Sequence, residues 1–256
     1  MQKYGSTWSH DEVVLALGLY FQMPFGKIHS RSFEVRRLAK LMNRSPASLS
    51  MKMCNFGRLD PSLAKRGVSG LKNGAKMDQT VWDEYVGRRD ELATRYHELL
   101  LKLKGDENFD DDVAIKTPQG LDGVRLAHYR INQSFFRRSV LSAYDNACCI
   151  TGLTGVKLLI ASHIKPWSKC IDGNERTDTA NGLCLNSLHD RAFDKGLITL
   201  DEELKVVLSA SLKDAVPHEV FTDYFIRYEG RQIVLPERGR PSEVFLSYHR
   251  ENVFEG

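Results

Sequence analysis

The chain contains no run of eighteen apolar residues and no basic-then-apolar start with a cleavage site. Neither a transmembrane helix nor a signal peptide is expected, and the reading is a soluble, cytoplasmic protein without membrane contact. It also lacks any C-x-x-C pair. The five cysteines, Cys54, Cys148, Cys149, Cys170 and Cys184, are odd in number and two are adjacent, which speaks against a disulfide framework and a standard structural zinc site. Internal repeats are missing too. What is present is 256 residues of 42 % hydrophobic content, enough for two ordinary domains. The net charge of +3 hides an asymmetry: up to Lys104, 18 Lys and Arg face 10 Asp and Glu, so this half carries +8 and the remainder −5. A basic half suits a polyanionic partner, nucleic acid first among them, and equally suits an ordinary solvated surface.

Three short helices open the chain. Ser9 with Glu12 forms a capping box, and Val13, Leu17 and Tyr20 recur at helical spacing until Pro24. A second helix is expected from about Ser32 to Met42 with Phe33, Leu38 and Leu41 inward. A third follows Ser45-Pro46, a good cap and a preorganised first residue. Helix, tight turn, helix is the layout of a helix-turn-helix, with small Ala39 at the crossing, Asn43 at the turn and Leu49 inward. In that geometry Arg44, Ser45, Ala47, Ser48, Met51 and Lys52 face the major groove or its phosphates. The same three helices also suit a plain scaffold.

Asp78 is expected to cap one long amphipathic helix to Lys104, with Val81, Tyr85, Leu92, Tyr96, Leu99 and Leu103 along one stripe. Segment 105–123 is acidic and carries Pro118, Gly120 and Gly123, which marks a linker. The expected organisation is α+β: a helical DNA-binding domain at 1–104, the linker at 105–123, and a second domain at 124–256. In that second domain a helix-rich stretch leads to the turn CCITG and a strand over VKLLIAS. A loop, a short strand GLCL, a helix NSLHDRAFDK and a hairpin GLITLDEELKVVLS complete the order.

The stretch LLIASHIKPW starts as a buried strand, ends on His163 and leaves for a loop at Pro166. With a second strand and a helix carrying His189 it makes a ββα unit. The strand holds His163 rigidly at a sheet edge and the loop leaves room for a substrate. Asn181, at the start of the second strand, is placed to bond backbone or imidazole. One imidazole can act as general base on water while another, neutral, ligates a divalent metal.

These motifs carry a resemblance. R-x-x-Q-x-x-F-R (Arg130, Gln133, Phe136, Arg137), C-x-x-T-G (Cys148, Thr151, Gly152), HIKPW (163–167), NGL-x-L (181–185), LH-x-x-x-FD-x-GL (188–197) and a tail motif over 235–254 are similar to the HNH endonucleases of the ββα-metal fold. The likeness is to the subgroup classed with restriction endonucleases. W-x-x-x-E, PFGKIH and NRSPASLSMKMCNF resemble a domain that often precedes such nucleases. The resemblance implies cleavage of double-stranded DNA with a divalent metal ion, Mg²⁺ or Mn²⁺. It implies that His163 activates water, Asn181 positions it, and His189 binds the metal, with Asp194 or Ser162 as further ligands. Arg130, Arg137 and Lys165 join the candidate phosphate contacts, although a solvated helix face explains the two arginines equally well.

Two departures stand out. Ser162 occupies the place where many relatives carry Asp or His as a second ligand, and the paired C-x-x-C zinc ligands of many relatives are missing, so structural zinc is not expected. Members of the subgroup often cut modified DNA, but no aromatic cage is recognisable here. A competing reading is a DNA-binding regulator whose HNH domain is inert; a third is a nuclease with little sequence preference. One active site makes one nick, so a double-strand break implies a homodimer or two sequential nicks.

Overall fold

The computed structural model of the chain describes residues 6–68, 74–104, 121–215 and 218–256. It divides into two compact units, Met1–Ser139 and Val140–Gly256. The expected linker at 105–123 lies almost entirely outside the described residues.

In the first unit, α1 (His10–Phe21) is the central helix, buried from Glu12 to Phe21. Ser9 and Glu12 close the expected capping box at its start. Around it are α2 (Phe33–Leu41), α3 (Pro46–Phe56), the short α4 (Pro61–Ala64), α5 (Lys76–Tyr85) and α6 (Arg89–Lys104), with α3, α5 and α6 packed directly on α1. Ser45 caps α3 through the Ser48 amide with Pro46 at the first helical position, and Asn43 makes the turn at φ 56, a conformation asparagine tolerates well. Tyr20, Phe56 and Trp82 join edge to face or stacked in the core. There the Tyr20 hydroxyl donates to Asp60 at 2.9 Å.

Two expectations change. The helix expected over 78–104 is two helices, interrupted at Val86–Arg88, where Gly87 weakens helix continuation. Asp78 sits in the first turn of α5 rather than before it, accepting from the Ala75 amide. Phe33 is not inward but 71 % exposed; Val35, Leu38 and Ala39 form the buried face of α2.

Helix α7 spans Leu121–Ala143. In the second unit, β1 (Leu159–His163) pairs antiparallel with β2 (Gly182–Asn186), in register from Leu159 opposite Asn186 to His163 opposite Gly182. Between them lies α8 (Gly173–Thr177); after β2 comes α9 (Ser187–Asp194), packed on both strands. This is the expected ββα order. A hairpin of β3 (Ile198–Leu200) and β4 (Val206–Leu208) follows, then α10 (Ser211–Ala215), α11 (His218–Tyr224) and α12 (Glu243–Asn252). Gly196 ends α9 at φ 70, and a Cβ there would strike the carbonyl of Val253. The Gly196 carbonyl accepts from the Glu255 amide at 2.9 Å. His249 on α12 stacks on Phe193 of α9 at 3.7 Å, so the segment after α12 and α12 itself fasten α9. Among the described residues no helix is long and apolar enough to cross a membrane.

Candidate active site

The last residue of β1, His163, points its Nε2 at the Arg176 carbonyl 2.9 Å away. A carbonyl only accepts, so Nε2 carries the proton and Nδ1 is the basic atom of the ring. Burial lowers the His163 pKa further below its ordinary value, against the opposing pull of the Arg176 carbonyl, which keeps the imidazole neutral at pH 7. Trp167 meets the ring edge-on at 5.4 Å and carries the Arg176 guanidinium 5.6 Å above its own face.

Asn181 lies in a 3-10 turn directly before β2 and is fully buried. It does not touch the imidazole. Its Oδ1 accepts from the Lys165 amide at 2.8 Å, and its Nδ2 donates to the carbonyls of Glu175 at 2.9 Å and Lys165 at 3.3 Å. The side chain thus ties both ends of the loop that supplies the Arg176 carbonyl. Of the two partners expected for its amide, backbone and imidazole, these bonds go to the backbone. Lys165 is drawn inward as well: its Nζ pairs with Glu175 at 2.7 Å and lies over the Tyr248 ring, so it braces the loop instead of facing phosphate.

His189 is placed differently from the expectation. It is 1 % exposed. Its Nδ1 lies 2.8 Å from Asn186 Nδ2, which can only donate, and its Nε2 lies 2.6 Å from the Tyr224 carbonyl, which can only accept. Phe225 and Tyr228 pack edge-on against the ring. Both nitrogens are committed, so in this arrangement the ring has no lone pair to offer a metal; it fastens α9 to α11. Asn186 also caps α9 by accepting from the Leu188 and His189 amides.

The next residue is the one that the sequence reading missed. Asp190 is half-buried, and its carboxyl is pushed up by burial, held back by the Ser162 hydroxyl beside it, and pushed up again by Asp194. Burial raises Asp194 as well. Ser162 is 2 % exposed, and its Oγ completes no well-formed hydrogen bond. Burial outweighs the opposing pull of the Ser162 hydroxyl and Arg191 on Asp190 and of Arg191 and Lys195 on Asp194, so both carboxylates are only partly compensated in the free chain. The signal was available in the sequence: Asp190 and Asp194 stand four apart, on one face of a helix.

The five cysteines are free. Cys148 accepts from Asn186 Nδ2 at 3.7 Å, and Cys170 from Asn181 Nδ2 at 3.5 Å. Among the described residues no three His, Cys, Asp or Glu side chains converge as a metal-binding group. In the first unit, Arg44 and Lys52 are turned inward and paired. Arg44 is 4 % exposed and reaches Glu12 at 2.7 Å and the carbonyls of Ser6 and Thr7, and Lys52, 6 % exposed, pairs with Asp78 at 2.6 Å. Ser45 is engaged as the cap of α3, and Ser48 is half-exposed beside it. Arg130 and Arg137 lie seven apart on one face of α7, two helical turns, with Arg130 exposed.

Residues 148–201, all within the second unit, match the family model described as HNH endonuclease. That segment is similar to an HNH endonuclease domain. The match spans β1, the Asn181 loop, β2, α9 and β3, the elements that hold His163, Asn181 and Asp190. No curated protein matches the chain.

Proposed function

We propose that the chain is a metal-dependent, restriction-type endonuclease of double-stranded DNA. The observation that carries the reading is the neutral His163 imidazole, oriented by the Arg176 carbonyl so that Nδ1 is its basic atom. That atom accepts the proton of the water that attacks phosphorus, and a neutral imidazole at pH 7 is poised to do so. Asn181 is a positioning residue: it holds the loop whose carbonyl fixes the tautomer. Arg176, with its Nε buried and unsatisfied, is a cation of this loop and suits a phosphate oxygen.

A divalent metal fits the oxygen donors of α9 and β1. Asp190 and Asp194 would hold it with Ser162 beside them, water completing the shell, a set suited to Mg²⁺ or Mn²⁺ and not to zinc. Bound there, the ion would neutralise phosphate charge and stabilise the leaving 3′-oxygen. In this reading His189 leaves the ligand set and the carboxylate that follows it takes its place.

Plasmid DNA from modifying and non-modifying hosts, incubated with Mg²⁺ or Mn²⁺, tests the proposal. Cutting should need the metal and fall about a thousandfold in His163→Ala, and a difference between hosts would establish modification reading. Manganese binding, followed by electron paramagnetic resonance of the full chain, should weaken in Asp190→Asn whether or not DNA is cut. Binding of both DNAs with cleavage of neither, under any metal, would leave the inert DNA-binding regulator.

A further inference from the structure

We infer that the outer face of α2, and not α3, is the nucleic-acid surface of the first unit, with Phe33, Arg36 and Lys40 contacting duplex DNA. At 3.6 residues per turn, Phe33, Arg36, Arg37 and Lys40 fall within an arc of about 100°, opposite the Val35, Leu38 and Ala39 face that packs inward. Arg36 and Lys40 are exposed, and Phe33 is among the most exposed large apolar side chains of the described residues. Arg31, in the turn before the helix, adds another exposed cation.

The neighbouring helix sharpens the assignment. The exposed positions of α3 are Ala47 and Met51, with half-exposed Ser48, Ser50 and Asn55 around them. Its only cation, Lys52, is locked to Asp78, and Arg44 before it to Glu12. Thus α3 offers small, uncharged groups and no carboxylate, while α2 offers cations around an aromatic ring. Cations an exposed helical turn apart suit the phosphates of one strand. An exposed phenylalanine between them suits a sugar or base face. Glu34, at the edge of the face, is the one carboxylate on the helix.

The assignment rests on DNA being the substrate. It is tested on the full chain carrying His163→Ala, so that binding is read without cutting, by fluorescence anisotropy of a labelled duplex across salt concentrations. Arg36→Ala with Lys40→Ala should weaken binding more than tenfold and flatten the salt dependence by about two counterions. Phe33→Ala should weaken it about tenfold with the salt slope unchanged. Lys76→Ala with Lys102→Ala removes the same charge from exposed sites on α5 and α6 and should leave binding nearly intact. Equal losses in the two double variants would overturn the assignment. So would a loss confined to binding of polyglutamate, which would make the face a docking site for acidic protein. A nuclease that cuts while α2 variants bind normally would sink this surface alone. Binding that depends on α2 in a chain that never cuts would sink the nuclease alone.

Discussion

The two units bury carboxylates in opposite ways. In the first, Glu12 and Asp78 each meet a cation at hydrogen-bond distance, Arg44 and Lys52, and Trp8 lies between, with both cations over its ring. In the second, burial pushes Asp190 and Asp194 toward their protonated forms by more than the Ser162 hydroxyl and the charges of Arg191 and Lys195 pull them back. Charge that is matched inside the fold holds elements together and is unavailable to a ligand. Charge left unmatched is a standing cost to the free chain, and it becomes useful when a cation arrives. The contrast also explains why the basic excess of the N-terminal half overstates what DNA could meet: two of its cations are already neutralised.

The comparison breaks most readily at Lys52. Lys52→Ala removes the cation from the fully buried Asp78, leaving it the Ala75 amide and Asn55, and should cost about 3 kcal/mol in denaturant unfolding of the first unit. A loss below about 1 kcal/mol would mean that Asp78 finds water, and the pair would not differ in kind from the unmatched one. A smaller effect comes from pH. His249, buried between Phe193 and Thr199, is lowered from 6.5 to about 4 by burial, and the Phe193 carbonyl opposes the shift. Its folded pKa lies below its unfolded one, so its contribution is complete above pH 6.5 and declines as pH falls toward 4. Stability of the second unit should drop by about 2 kcal/mol from pH 7 to pH 5, and His249→Gln should remove most of that slope. Asp190 and Asp194 run the other way, since their raised carboxyl values make the free chain less stable at neutral pH than in acid. Asp190→Asn should therefore stabilise the metal-free chain at pH 7 in denaturant unfolding and lose that advantage when Mn²⁺ is added. A destabilised variant would show that the carboxylate is matched after all.

What could be read from the sequence follows from how local each feature is. The capping box of Ser9 and Glu12, the Ser45-Pro46 start of α3 and the turn at Asn43 involve neighbours within four residues, and all stand where they were expected. The ββα order is also local, because alternation and turn residues announce it. Phe33 is expected inward together with Leu38 and Leu41. The packing instead selects the arc of Val35, Leu38 and Ala39, which only α3 beside it can decide. His189 drew the metal assignment through the resemblance to the HNH endonucleases. Its commitment depends on the Tyr224 carbonyl, 35 residues on, and no periodicity reveals that. Asp190 could have been found from its spacing to Asp194, had the preceding histidine not taken its role.

The glycine at the end of α9 has a practical consequence. Because Gly196 leaves no room for a side chain beneath Val253 and hands its carbonyl to Glu255, the helix bearing Asp190 and Asp194 is anchored by the final residues of the sequence. A side chain at position 196 would have to displace Val253, so Gly196→Ala would shift the helix that carries both carboxylates without altering either of them.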